Sequence, residues 1–259
     1  TLCLGKWFEG AKELIPFEKF IVFPMGAVAK PLEPDELRPT SDHSASGLNE
    51  TVDLDGLRHA LTAFESFVRH LATGFWAFIA DVEAAFPHMV IAPHLWPYFM
   101  FRWFGENDPS DTLYLYVHLF ADFGGRGVPG AFYILFSSVL VGMARSEAIL
   151  EVPIEVYVDD TAVSAETRDR TNQQGRAFIA FGEFLGFLFK LLKIREASQR
   201  PLFIGFQWDS IARTLTLEER KLVSYMDLFA RMAGESSWTL KAMQSAVGKL
   251  HRAIHTFPP

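Results

Sequence analysis

The sequence is poor in cysteine: Cys3 is the single one among 259 residues. One thiol cannot form an intrachain disulfide, and it argues against a cysteine-built zinc site. The eight histidines show no metal-ligand spacing, so His88, His94 and His118 are expected to be structural or surface residues. No serine or cysteine is arranged as a catalytic nucleophile. These absences indicate a reducing, intracellular setting, cytoplasmic or nuclear.

Long hydrophobic runs are also scarce. The best candidate for a membrane span, residues 128–144, is interrupted by Pro129, Gly130 and two serines. We therefore expect no membrane-spanning segment and no membrane partner. Residues 1–10 lack the basic and apolar blocks of a secretion signal, so secretion is not expected. The apolar content of 49% supplies core for one large domain or two modest subdomains, and no internal repeat divides the chain.

Positive charge is in deficit, because the formal net charge is −7. Proteins that bind nucleic acid usually present a basic surface, so the overall balance argues mildly against such a partner. The C-terminal third is locally basic, with cationic residues distributed from Lys190 to Arg252. This segment either contacts a phosphate backbone or consists of solvated helix faces.

Hydrophobic spacing predicts the elements of the first half of the chain. Residues 29–49, rich in proline, serine and charge, are predicted to be a long loop. Residues 57–71 are predicted to be an amphipathic helix whose apolar face carries Leu57, Leu61, Phe64, Val68 and Leu71. The apolar run 75–80 is predicted to be a strand that ends on Asp81.

The second half alternates between strands and helices. The glycine-rich loop 123–127 leads into a buried helix over 128–148, and 154–165 is predicted to be a β-hairpin with Asp159 and Asp160 at its turn. The remaining elements are a helix and turn over 170–193, a strand over 202–209, and helices over 217–232 and 239–255.

The chemistry concentrates in two motifs. Tyr157-Val158-Asp159-Asp160 lies at a predicted hairpin turn, and Asp81 ends an earlier strand, five residues before Phe86. Adjacent acids also occur at turns for structural reasons, but the second motif favours a functional pair. Nucleotidyl transfer uses two divalent cations to stabilise the attacking and leaving oxygens, and carboxylates supply the hard oxygen ligands. We expect these three aspartates to hold Mg²⁺, with Mn²⁺ as a substitute.

The order of these motifs resembles the reverse transcriptases of retroviruses and retrotransposons, and the resemblance covers almost the whole chain. In style it is closest to retrotransposons of the tyrosine-recombinase type, the DIRS-like elements. The resemblance implies an α+β right-hand polymerase fold. Fingers and an antiparallel-sheet palm would occupy residues 1–210, with the fingers mainly in 1–72, and a helical thumb would begin in 211–259.

The resemblance also assigns roles to single residues. Lys30 and Arg38 would grip the incoming triphosphate, Phe86 would be the steric gate against a ribose 2′-hydroxyl, and Gly124 would support the template and nascent pair. Lys193 would lie near the leaving pyrophosphate as a general acid. The catalytic and metal-binding residues would be Asp81, Asp159 and Asp160. The implied partners are deoxynucleoside triphosphates and an RNA or DNA template with its primer; the oligomeric state is left open.

Two departures from the family pattern keep alternatives open. Phe123 stands where many retroviral members carry glutamine, and the acidity of the chain suits a catalytically silent, domesticated scaffold that binds nucleic acid or protein. An RNA-dependent RNA polymerase shares the palm carboxylates. Phe86 and the absence of glycine before Asp159 disfavour that reading.

Overall fold

A computed structural model describes residues 3–8, 16–30, 33–57, 63–70, 74–104 and 113–256. The chain divides into two compact units. The first unit comprises Thr1–Ala60 and Ala84–Met143, and the second comprises Leu61–Glu83 and Ala144–Pro259. Helices and strands are mixed in both, as the predicted α+β class requires.

The elements follow one another along the chain. The strands are β1 Cys3–Phe8, β2 Val22–Phe23, β3 Met25–Lys30, β4 Glu33–Ser41, β5 Trp76–Asp81, β6 Met100–Phe104, β7 Leu113–His118, β8 Ile154–Tyr157, β9 Asp160–Ala165, β10 Arg195–Ser198, β11 Leu202–Phe203, β12 Phe206–Asp209 and β13 Thr214–Leu217. The α-helices are α1 Leu48–Thr51, α2 Ala63–His70, α3 Val128–Tyr133, α4 Val141–Ser146, α5 Arg168–Phe184, α6 Glu219–Gly234 and α7 Leu240–Ala253. A π-helix, Ile134–Leu140, joins α3 to α4, and 3₁₀ turns occupy Phe86–His88, Pro93–Tyr98, Leu191–Lys193 and Ile254–Thr256.

The first unit contains a four-stranded sheet in the order β1-β7-β6-β2. Its strands pair antiparallel except for β2 and β6, which run parallel. Met100, Leu115 and Val117 are buried on this sheet, with Val22 and Trp96 packed against them. The alternation of apolar residues along β6 and β7 places this set on one face, which builds the core of the unit.

The predicted loop over residues 29–49 was wrong. Strands β3 and β4 form an antiparallel hairpin in which Val28 pairs with Arg38 and Met25 with Ser41. Among the hairpin side chains that the structure describes, the apolar residues Val28 and Leu37 are exposed, so they do not give the alternation of buried apolar and exposed polar positions by which strands are recognised. The proline and charge content of these residues therefore led to the wrong prediction of a loop where strand β4 is present.

The helix predicted over 128–148 is present as one continuous helix, Val128–Ser146, although its middle is π-helical. Pro129 lies in its first turn, where the missing N–H costs no helical hydrogen bond. Among the described residues it is the one helix long and apolar enough to cross a membrane by length and composition. The core helix of a soluble protein passes the same test, so the expectation that no segment spans a membrane stays a prediction.

The second unit is built on an antiparallel sheet in the order β10-β5-β9-β8. Helix α5 covers one face, and its buried residues Thr171, Gly175, Phe178 and Gly182 recur at helical spacing. Gly175 lies so close to the ring of Phe78 on β5 that a Cβ there would overlap it. The hairpin of β8 and β9 was predicted correctly, and it carries the acidic pair.

The strand predicted over 202–209 is in fact two strands. Ile204 and Gly205, with φ angles of 44° and 77°, form a two-residue turn between β11 and β12. Positive φ at both central positions defines the type I′ turn that suits the twist of a hairpin. Strand β13 completes this three-stranded sheet.

Helix α2 is rotated relative to the predicted apolar face. Phe67, not Val68, is fully buried, and its ring lies 4.7 Å from Phe203 and 4.8 Å from Trp208. Val68 is 45% exposed. Leu57 lies in a turn before the helix, and the predicted face positions Leu61 and Leu71 fall outside the described residues.

Helices α6 and α7 confirm the two C-terminal helices predicted from apolar spacing. Thr239 caps α7 by accepting a hydrogen bond from Ala242 N. Helix α7 contacts the three-stranded sheet through Arg252. Its guanidinium lies 5.1 Å from the centre of the Phe206 ring and donates a hydrogen bond to Ile204 O.

Candidate active site

The two central strands of the sheet in the second unit bring carboxylates together at one end of the strands. Strand β5 ends on Asp81, strand β9 begins on Asp160, and the two residues are direct cross-strand partners. Asp159 precedes β9 in the turn, and its carbonyl oxygen accepts a 2.9 Å hydrogen bond from Val82 N. The three aspartates predicted as catalytic are therefore brought together, with Asp81 only 4% exposed.

The turn that carries the acidic pair holds an uncommon backbone conformation. Tyr157 pairs with Asp160, which leaves Val158 and Asp159 as the two turn residues. Val158 has a φ of 58°, a left-handed conformation that costs a β-branched residue about 1–3 kcal/mol. The backbone bond from Val82 and the ladder of β9 hold the turn in this geometry.

Lys193 completes the cluster from the other side of β5. Residues 188–190 continue along the end of β5, and Lys190 N donates to Asp81 O at 2.9 Å. The 3₁₀ turn Leu191–Lys193 then places the Lys193 side chain against Asp81, with Nζ 2.5 Å from Asp81 Oδ2. Although burial acts to lower it, the hydrogen bond and charge of Asp81, together with Asp160 and Asp159, raise the pKa of the Lys193 ammonium.

The pKa of Asp160 is also raised, which in a carboxyl group favours the neutral form. Burial first, and then the charges of Asp159 and Asp81, raise the pKa of Asp160 to about 7, against a smaller lowering by Lys193. A carboxyl group that holds a proton near neutral pH marks a concentration of negative charge that a further cation would relieve.

The side chains of the cluster are of the type that binds magnesium, but they do not form a complete coordination site. Three carboxylates are hard oxygen ligands of the kind that Mg²⁺ takes. Within the described part of the chain, however, no three His, Cys, Asp or Glu side chains are grouped to hold a metal ion, and Lys193 already neutralises Asp81. Water and substrate oxygens would have to complete the coordination.

A cavity of about 290 Å³ opens beside these carboxylates, and Lys193 lines it. Three further cations line it to which sequence reasoning gave no role: Arg195, Arg220 and Lys221. Lys221 lies against the turn at Gly205, where a Cβ would overlap its Nζ. Burial and the nearby Arg252 lower the pKa of Lys221. The locally basic composition of the C-terminal third was the sequence signal for these residues.

The other predicted substrate-binding residues belong to the first unit. Arg38 lies on β4 opposite Val28, and Lys30 ends β3 opposite Glu33. Phe86 is buried, with its ring 4.8 Å from Phe123 and 5.9 Å from Phe132. These contacts are those of a core aromatic residue, and the gate role stays a prediction.

Gly124 fastens the glycine-rich loop to β4. Its φ is 139° and a Cβ would overlap the carbonyl oxygen of Ser41, so no other residue fits without movement. Ser41 N donates to Phe123 O at 3.1 Å across the same junction. The candidate residues thus form two groups: Asp81, Asp159, Asp160 and Lys193 in the second unit, and Lys30, Arg38, Phe86 and Gly124 in the first.

Known proteins resemble this chain in structure. No protein-family model matches the sequence, and no curated protein matches it. The foamy viral protease-reverse transcriptase dRH in complex with ds DNA aligns with a TM-score of 0.69 and 20% identity, over 92% of this chain and 37% of that chain. The foamy viral enzyme with RNA/DNA hybrid gives 0.65 and 21%, over 92% and 28%. Its complex with dsDNA gives 0.65 and 21%, over 92% and 44%.

These similarities define the class of fold. The chain spans less than half the length of the proteins it aligns with, and at about 20% identity the likeness shows the fold alone. The protein has a mixed α+β, reverse transcriptase-like fold.

Proposed function

We propose that the chain is the polymerase part of a reverse transcriptase from a retrotransposon, possessing the right-hand arrangement described by the resemblance. Fingers and palm would occupy residues 1–210 and the thumb would begin in 211–259. The observation that carries the proposal is the direct pairing of Asp81 with Asp160, with Lys193 bound to Asp81, in a reverse transcriptase-like fold.

The reaction is the template-directed addition of deoxynucleoside monophosphates to a primer 3′ end. The primer 3′ oxygen loses its proton to solvent water and bonds to the α-phosphorus of the incoming triphosphate, while the bond from that phosphorus to the leaving pyrophosphate breaks. Asp81, Asp159 and Asp160 would hold Mg²⁺ or Mn²⁺, which stabilises both oxygens when bound. Lys193 Nζ donates a proton to the pyrophosphate, because a lysine ammonium is charged at neutral pH and can give up a proton to the leaving oxygen.

The partners follow from the same proposal. The foamy viral relatives are solved with ds DNA and with RNA/DNA hybrid, which supports a primer–template duplex as the ligand of this chain. The cations that line the cavity beside the carboxylates can bind phosphate groups, although Glu218 also lines the cavity and lies 3.3 Å from Arg220. We further propose that deoxynucleoside triphosphates are the substrates, that the protein acts inside the cell, and that it is related to DIRS-like elements.

A catalytically silent scaffold is the second candidate, and the ion pair favours it. Lys193 occupies an oxygen of Asp81 that a metal ion would need. Such a protein would bind a primer–template without extending it.

Primer extension separates the two candidates. An RNA template with a DNA primer is incubated with Mg²⁺ or Mn²⁺ and with deoxynucleotides or ribonucleotides, for wild type and for Asp159→Asn. Extension with deoxynucleotides that disappears in Asp159→Asn supports the polymerase. Duplex binding without extension supports the scaffold.

A further inference from the structure

A buried polar cluster in the first unit joins β4 to the glycine-rich loop. Asp122, the residue before that loop, accepts a hydrogen bond from Ser41 Oγ through Oδ2 and contacts His43 Nε2 at 2.8 Å through Oδ1. His118 Nε2 lies 3.5 Å from Oδ2 of the same carboxylate. We call these four residues the Asp122 cluster. The His43 side chain is fully buried, at 0% exposure, so its partners cannot be replaced by bulk water.

A second polar clamp holds the loop a few residues further on. Asn49 Nδ2 donates to Gly124 O at 3.0 Å, and Asn49 Oδ1 accepts from Arg126 N at 2.8 Å. Asn49 follows directly on Leu48, the first residue of α1. This clamp is independent of Asp122, so the loop keeps it, and the backbone bond from Ser41 N to Phe123 O, when the carboxylate is removed.

The loop in turn contacts Phe86, which makes the attachment relevant to substrate. Phe123 packs its ring on Phe86, while Arg38 lies three residues before Ser41 on β4. The Asp122 cluster therefore lies between the strand that carries one predicted triphosphate ligand and the loop that packs on the predicted sugar gate.

We propose that Asp122 is a positioning residue for the incoming nucleotide. Its single carboxylate holds β4 through Ser41 and His43 and thereby fixes Arg38 relative to Gly124 and Phe86. This inference rests on the proposed polymerase function, because the nucleotide is the substrate that these residues would share. The carboxylate itself makes no contact with the reacting atoms.

Removing the carboxylate has two separable consequences. In Asp122→Ala, Ser41 and His43 lose a common acceptor. The junction of β4 with the loop is then held by the backbone bond from Ser41 N to Phe123 O without side-chain support. Asp122→Asn keeps the shape and one acceptor oxygen, and Ser41 Oγ can accept from its new amide. The asparagine variant should therefore restore most of what alanine loses. Asp42→Ala is the matched control, because Asp42 is exposed and its Oδ1 caps Ala45 N.

Two measurements test the proposal. Hydrogen exchange of the protein without nucleotide should rise in residues 37–43 and 122–126 together in Asp122→Ala, and stay at the wild-type level in Asp42→Ala. In primer extension, the KM for deoxynucleotide should rise about tenfold in Asp122→Ala, as expected for loss of one buried charged hydrogen bond. The kcat and the affinity for primer–template should remain unchanged, and Asp122→Asn should recover most of the KM.

The outcomes distinguish this inference from the function on which it rests. Unchanged exchange in both segments of Asp122→Ala contradicts the coupling, in an active or an inactive protein. A lower melting temperature with an unchanged KM means that Asp122 is structural only. A wild type that never extends a primer contradicts the polymerase, and with it the nucleotide role of Asp122.

Discussion

Lys193 Nζ lies 2.5 Å from Asp81 Oδ2, although the two residues are 112 positions apart in the sequence. The Asp81 side chain is 6% exposed and that of Lys193 is 51% exposed. The ammonium is thus anchored at one end of a buried carboxylate while remaining open to solvent. A half-exposed cation contributes little to folding, which is consistent with the proposed role of Lys193 as a proton donor.

Replacing Lys193 by glutamine should slow nucleotide addition without unfolding the protein. Loss of a general acid typically costs about 10²–10⁴-fold in rate, while the melting temperature should change little. Single-turnover incorporation measures the rate. Lys190→Gln is the control, because Lys190 reaches Asp81 through its backbone N–H. Equal rates for Lys193→Gln and wild type would remove Lys193 from the mechanism.

Asp160 makes the free protein less stable as the pH rises. Its pKa of about 7 in the fold exceeds the unfolded value of 3.8, so between these values the folded state binds more protons than the unfolded state. Stability from this group is complete below about pH 4 and is lost as the pH rises through 7. Asp160→Asn should therefore gain stability over wild type from pH 5 to pH 8. Urea titrations without metal measure it, and a constant difference across this range would contradict the raised pKa.

Phe86 should control the choice of sugar. Phe86→Leu is expected to raise ribonucleotide incorporation relative to deoxynucleotide by about tenfold, since one packing contact with the sugar is worth about 1–3 kcal/mol. Phe132→Leu is the control, because Phe132 is buried in the same aromatic group. Both variants should lose stability, but only the first should lose discrimination. Equal discrimination in the two would make Phe86 a core residue alone.

Helix α5 packs closely against strand β5, which carries Asp81, and this contact should stabilise the protein. Gly175→Ala would place a methyl group in the ring of Phe78 and should destabilise the protein by about 1–3 kcal/mol. Gly248→Ala in α7 meets no neighbouring atom and should stabilise it by about 0.5–1 kcal/mol. Chemical denaturation compares the two, and a neutral Gly175→Ala would show that α5 can shift.

The acidic hairpin was predictable because its signals are local. Apolar runs that end on Asp81 and Asp159 are visible in the sequence, whereas the pairing of β5 with β9 is known only from the structure. The Asp122 cluster was not predictable, since Asp122 and His43 lie 79 residues apart and neither forms a motif alone. Strand β4 was missed because its apolar residue Leu37 is exposed. Phe67, rather than Val68, is buried because the aromatic rings of Phe203 and Trp208 lie on its side of α2. Tertiary packing decided each of these cases.

The most direct test of the account is incorporation of a single nucleotide on a defined primer–template. Each of the four deoxynucleoside triphosphates is offered alone with Mg²⁺ to wild type, Asp81→Asn and Asp160→Asn, and both the extended primer and released pyrophosphate are measured. The account predicts addition of the template-complementary nucleotide only, in equal amount with pyrophosphate, and its loss in both variants. Duplex binding by wild type without incorporation, or incorporation that survives both substitutions, would contradict it.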